Sequence, residues 1–113
     1  MGLNGRIEIE VLWSSTNNAN AKTARVKFGG STILSTSMAS AASLRIGNFI
    51  ANRNATNSQI AGANTGTGFG ASTATVTALA IDTTAAVNIT ITGQLGTGTD
   101  TMTLEAYRVL LFK

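Results

Sequence analysis

The chain has no cysteine, no proline and no histidine. Without cysteine there is no disulfide framework and no thiolate metal site. Without histidine the commonest general base and the commonest zinc ligand are both missing. Charge is scarce too, with eight basic and five acidic side chains in 113 residues. Disorder goes with low hydrophobicity and high net charge, and this chain has neither, so it is expected to fold. No apolar run approaches the roughly 18 residues of a membrane span, and no membrane insertion is expected. The first residues, Met1-Gly2-Leu3-Asn4-Gly5-Arg6, lack the apolar centre of a secretory signal.

What is abundant is small and polar. Thr, Ala, Gly, Asn and Ser fill more than half of the sequence. Small side chains let sheets or subunits approach closely. The net charge of +3 is concentrated early, where residues 1–53 carry six basic and two acidic groups. Nucleic-acid binding requires a denser basic patch with aromatics for stacking. Arg25 and Lys27 on one strand face are the nearest approach, and they read as a solvated face. No nucleic-acid partner is expected.

Periodicity of two dominates the chain. Ile7, Ile9, Val11 and Trp13 alternate within a strand over Arg6–Trp13. Ala24, Val26 and Phe28 face inward in a strand over Lys22–Phe28, and Gly29-Gly30 marks a turn. Further strands are predicted over Ser31–Met38, Leu44–Arg53, a short Gln59–Ile60 and Thr73–Ile81. The Ala-rich stretch Ala39–Ser43 would tolerate a short helix. A final hairpin is predicted, its first strand carrying Val87, Ile89 and Ile91. Its turn is Gly96-Thr97-Gly98-Thr99-Asp100, and its second strand puts Met102, Leu104 and Ala106 on one face. Turn signals every 8–14 residues and the lack of sustained helical spacing define the fold class. It is all-β: one domain over residues 1–113, an antiparallel β-sandwich or jelly roll of seven to eight strands.

No catalytic residue can be named. Glu8 and Glu10 share an outward strand face, and Asp82 and Asp100 sit in turns where aspartate caps backbone. No acid, base and nucleophile set emerges, so the chain reads as a non-enzyme without cofactor or metal. Gly66-Thr67-Gly68-Phe69-Gly70 lacks the strand–loop–helix context of a phosphate loop. One carboxylate in the Gly96–Asp100 turn is too few for calcium. Two aromatics are candidate ligand or partner contacts. Trp13 either continues the core stripe or forms a sugar-stacking platform beside the Asn-rich loop. Phe69, inside a glycine loop, either pins that loop or meets a partner.

The strongest clue is the end of the last strand. Alternation fails there: Val109, Leu110, Leu111 and Phe112 are apolar at successive positions. A strand apolar on both faces must bury both. One face is expected to enter the domain's own core and the other to meet another copy, because exposed edges must be covered.

Over residues 44–113 the sequence resembles bacteriophage virion surface proteins. The resemblance is carried by Asn52-Arg53-Asn54, Ser58-Gln59-Ile60, Ala80-Ile81-Asp82-Thr83-Thr84, Ile91-Thr92-Gly93-Gln94-Leu95 and the run from Asp100 to Arg108. It is closest to small β-sandwiches that serve as capsid decoration proteins or terminal knobs of tail fibres. Those proteins resemble the jelly roll of the tumour necrosis factor superfamily. The resemblance implies a homotrimer in the virion, with other virion proteins as partners. Its axis would be lined by Tyr107, Val109 and Leu111, or by the alternate set Leu110 and Phe112. A free-standing decoration or accessory role leads. The alternative is a knob or carbohydrate-binding module that recognises a host-surface glycan.

Overall fold

The structure, a computed structural model, describes residues 1–64 and 70–113. It contains β1 (Arg6–Ser15), β2 (Lys22–Phe28), β3 (Ser31–Ser37), β4 (Ser43–Asn52), β5 (Gln59–Ala61), β6 (Thr77–Leu79), β7 (Ile89–Leu95) and β8 (Met102–Phe112). Among the described residues there is no helix. The strands form two antiparallel sheets, ordered β6-β5-β4-β1-β8 and β3-β2-β7. The fold is an all-β sandwich.

Alternation explains the centre of both sheets. Ile9, Val11 and Trp13 of β1 are buried, and their cross-strand partners on β4 include the buried Ile46. Ala24, Val26 and Phe28 of β2 close the core from the other sheet. Each fully buried aliphatic or aromatic side chain contributes about 2 kcal/mol of burial free energy. Trp13 lies against Gly93, where an added Cβ would stand only 3.0 Å from its ring. Gly47 faces outward between the two central strands, and a Cβ there would meet the Ile9 carbonyl at 2.8 Å. Gly29 and Gly30 both have positive φ, at 55° and 82°, as a two-residue hairpin between β2 and β3 requires.

Two β-bulges account for the places where alternation fails. On β3, Val26 pairs with Leu34 and Lys27 with Thr32, which leaves Ile33 extra. The bulge turns both Ile33 and Leu34 into the core. On β8, Leu12 pairs with Ala106 and Trp13 with Leu104, which leaves Glu105 extra. Its carboxylate accepts a hydrogen bond from the Ser14 hydroxyl. The core-facing positions therefore change parity along β8. Met102 and Leu104 face inward before the bulge, and Tyr107, Val109 and Leu111 face the same way after it, opposite Val11, Ile9 and Ile7. This corrects the expectation that Ala106 shares a face with Leu104.

The predicted terminal hairpin does not form. β7 pairs with β2 and β8 pairs with β1, so Gly96–Thr101 carries the chain from one sheet to the other. The crossing is held where Gly96 N–H donates to the Ala21 carbonyl and Asp100 accepts from the Asn-rich loop. Residues 39–42 form a turn rather than a helix. β6 is shorter than predicted because it pairs along the three-residue β5.

A buried polar knot closes one end. Gln59 Nε2 donates to Asn52 Oδ1 (2.8 Å), to the Ile81 carbonyl (2.9 Å) and to the Thr56 carbonyl (3.1 Å). Its Oε1 accepts from Ile81 N–H at 2.8 Å. Asn52 Nδ2 donates to the Gly2 carbonyl and to Thr83 Oγ1. Buried amides of this kind are stable only when satisfied, and these are.

Candidate functional site

β8 is an edge strand bonded to β1 alone among the described residues. The three-stranded sheet is too narrow to cover it. β7 approaches β8 across the sandwich, and Met102 and Leu104 pack on the core there. Beyond the bulge that cover ends. Tyr107 is 67% exposed and Leu111 52%, although Tyr107 stands opposite the buried Val11 and Leu111 opposite the half-buried Ile7. Val109, between them, is 40% exposed. The structure thus brings Tyr107, Val109 and Leu111 together as one apolar row on the uncovered inner side of the edge strand. Leu111 also borders a cleft of about 120 Å³ with Met1, Ile7, Phe28, Thr83, Ala85 and Val87.

The other side of β8 is also apolar at its end, but it is partly capped. Leu110 and Phe112 point outward, and the Arg6 guanidinium lies 4.4 Å from the centre of the Phe112 ring. That cation–π contact replaces part of the water the ring would otherwise meet. Further along the same face Glu10 bridges Arg45 (3.2 Å) and Arg108 (3.8 Å), and Arg6 pairs with Glu8 (3.1 Å). Phe49, on β4 opposite Glu8, is 57% exposed and extends the outer apolar surface.

Trp13 is buried in the core stripe at 5% exposure, so it offers no platform to a ligand. Its Nε1 has no hydrogen-bond partner among the described residues. Phe69 lies outside the described residues. Among the described residues no group of three or more acidic, His or Cys side chains could hold a metal.

One cluster was not foreseen. Lys22, buried at the start of β2, meets Asn18 and Asn20 of the β1–β2 loop, and both amides bind Asp100 of the β7–β8 crossing. The hydrogen bonds from Asn18 and then Asn20 hold the Asp100 carboxyl below its ordinary value. Asp82 is lowered as well, by the hydroxyl and N–H of Thr84. Parity was the available signal, because Lys22 falls in step with Ala24, Val26 and Phe28.

No protein-family model, no curated protein and no solved structure matches this chain.

Proposed function

We propose that this chain is a non-enzymatic virion structural protein. In this reading it is a surface protein of the capsid decoration or accessory type, and it assembles with itself as a homotrimer. The observation that carries the assembly is the uncovered row Tyr107, Val109 and Leu111 on an 11-residue edge strand. An exposed, long, apolar edge is a liability that natural proteins cover, and a second copy is the simplest cover. A stable interface needs about 800 Å² from each partner. Tyr107, the most exposed of the row, offers a large part of the roughly 150–250 Å² that an aromatic can bury. Three such edges around an axis would seal the row from water.

The jelly-roll reading rests on topology. A jelly roll wraps a ribbon of paired strands into two sheets. The pairs β1–β8, β2–β7 and β4–β5 are three of the four in such a ribbon, and β3 and β6, which would make the fourth, lie in different sheets. The virion assignment rests on the resemblance over residues 44–113, whose Asn52, Gln59 and Thr83 build the polar knot. The glycan-binding alternative has one supporting feature. Asn54, Thr56, Asn57, Asp82 and Thr84 line an open polar concavity of about 530 Å³ beside Leu3 and Ala55.

Light scattering at micromolar concentration tests the assembly. Three copies per particle are expected for the wild type, and one copy for the double variant Val109→Lys, Leu111→Lys. A monomeric wild type sinks the trimer. Imaging of intact particles then decides the role, because a lattice position on the capsid supports decoration and a fibre tip supports the knob. Glycan-array binding lost on Asn57→Ala would favour the sugar reading instead.

A further inference from the structure

The Lys22 cluster goes beyond assembly and carries chemistry of its own. Lys22 is 1% exposed. Its Nζ donates to Asn18 Oδ1 at 2.9 Å, to the Asn20 carbonyl at 3.0 Å and to the Asn18 carbonyl at 3.4 Å. Asn18 Oδ1 accepts a second hydrogen bond, from Asn20 N–H at 3.1 Å. Asn18 Nδ2 donates to Asp100 Oδ1 at 2.7 Å, and Asn20 Nδ2 to Asp100 Oδ2 at 2.9 Å. Asp100, 7% exposed, arrives from 82 residues along the chain, so only the folded state assembles the group.

Each part has a role that acyl transfer requires. A primary amine is a nucleophile when neutral. Its hydrogen bond ends on Asn18 Oδ1, one bond from the carbon that would be attacked. The Asn20 N–H already points at the oxygen that would take negative charge, as an oxyanion donor does. A carboxylate holds the nitrogen that would leave, as a general acid–base must.

We propose that Asn18 and Lys22 are the two ends of an isopeptide bond that the folded chain forms by itself, with Asp100 as the proton carrier. A rotation of the Asn18 carboxamide brings Cγ under the amine. Nζ first gives one of its three protons to water; the neutral amine then attacks Cγ, a C–N bond forms, and Oδ1 takes the charge against Asn20 N–H. Both nitrogens are then on one carbon, so the carboxylate that holds Nδ2 reaches either. Asp100 removes a proton from Nζ and delivers it to Nδ2. The Cγ–Nδ2 bond breaks and ammonia leaves. One amide replaces another, no electrons are transferred to or from an external partner, and no cofactor or co-reactant is consumed. The product is a ring closed over residues 18–22, made once per chain without turnover. It would lock the loop that receives the β7–β8 crossing.

Intact mass spectrometry of the folded protein tests this. The wild type is expected to lose the mass of one ammonia per chain. Trypsin should stop cutting after Lys22, and fragment ions should place the link between Asn18 and Lys22. Asn18→Ala should keep its full mass. Asp100→Asn, checked for folding by circular dichroism, should react about 100-fold more slowly or less. The wild type in urea should not react. A folded wild type that keeps its full mass overturns the proposal and leaves Lys22 as an internal cation only. Loss of ammonia that occurs equally in urea, or that hydroxylamine cleaves as it cleaves a succinimide, overturns it as well.

Discussion

β3 and β8 break their alternating pattern by the same device and meet opposite fates. Each is an edge strand, and each carries a bulge that turns additional apolar side chains toward the core. On β3 those side chains are sealed, with Ile33 at 0% exposure. The edge beside them is closed by the chain itself. Asn48 Nδ2 donates to the Ile33 carbonyl at 2.7 Å, and Ser35 N–H donates to the Asn64 carbonyl at 2.8 Å. On β8 nothing comparable exists among the described residues. Among the described residues no backbone hydrogen bond outside the sheet ladders reaches Met102–Phe112, and the row beyond the bulge stays open. A bulge aims a side chain, but the neighbouring element decides whether it is buried. The contrast locates the unfinished surface of the molecule at β8.

The comparison can be broken from the β3 side first. Ile33→Ala removes a fully buried side chain and should cost about 3 kcal/mol in urea unfolding. A loss below about 1 kcal/mol would mean that the two edges are equally loose. Asn48→Ala leaves the Ile33 carbonyl and Gly62 N–H without their partner and should cost about 2 kcal/mol by the same measurement.

A third prediction concerns the crossing into β8. The folded-state pKa of Asp100 lies below its ordinary value. Its contribution is therefore fully present above the ordinary carboxylate range, and it is lost as pH falls through the folded value. The stability difference between wild type and Asp100→Asn should accordingly shrink on acidification, as read from thermal midpoints. A difference that is flat with pH would remove Asp100 from the anchoring of the crossing. The smallest effect is expected on β8 itself. Leu111→Ser should change monomer stability by no more than about 0.5 kcal/mol while weakening association. A large stability loss in the isolated monomer would show that the row is core after all.

Much of the fold was legible because alternation is a local property. β2 was bounded at Lys22 and Phe28, and the Ile7–Trp13 stripe follows from parity alone. The bulges were not legible. Ile33-Leu34 and Val109–Phe112 look alike in sequence, and pairing register separates them. The final hairpin was misread because a glycine-rich turn signals a reversal without naming the sheet that receives the next strand. The resemblance offered Tyr107, Val109 and Leu111, or the alternate set Leu110 and Phe112, as an interface, and alternation alone did not choose between them. The Asn18–Lys22–Asp100 group was missed because a lysine at a strand start normally reaches solvent, and its partners lie in two separate loops.

By itself the sequence determined an all-β chain, the strands at its centre, and a surplus of apolar residues at its end. Those follow from side-chain size and a period of two, which each strand carries independently of the others. Only the tertiary structure decided which sheet each strand joins, that the narrow sheet stops short of Tyr107, and that a lysine and an asparagine amide meet under a carboxylate. Those depend on the relative widths of two sheets and on loops that meet in space, and no local pattern encodes either.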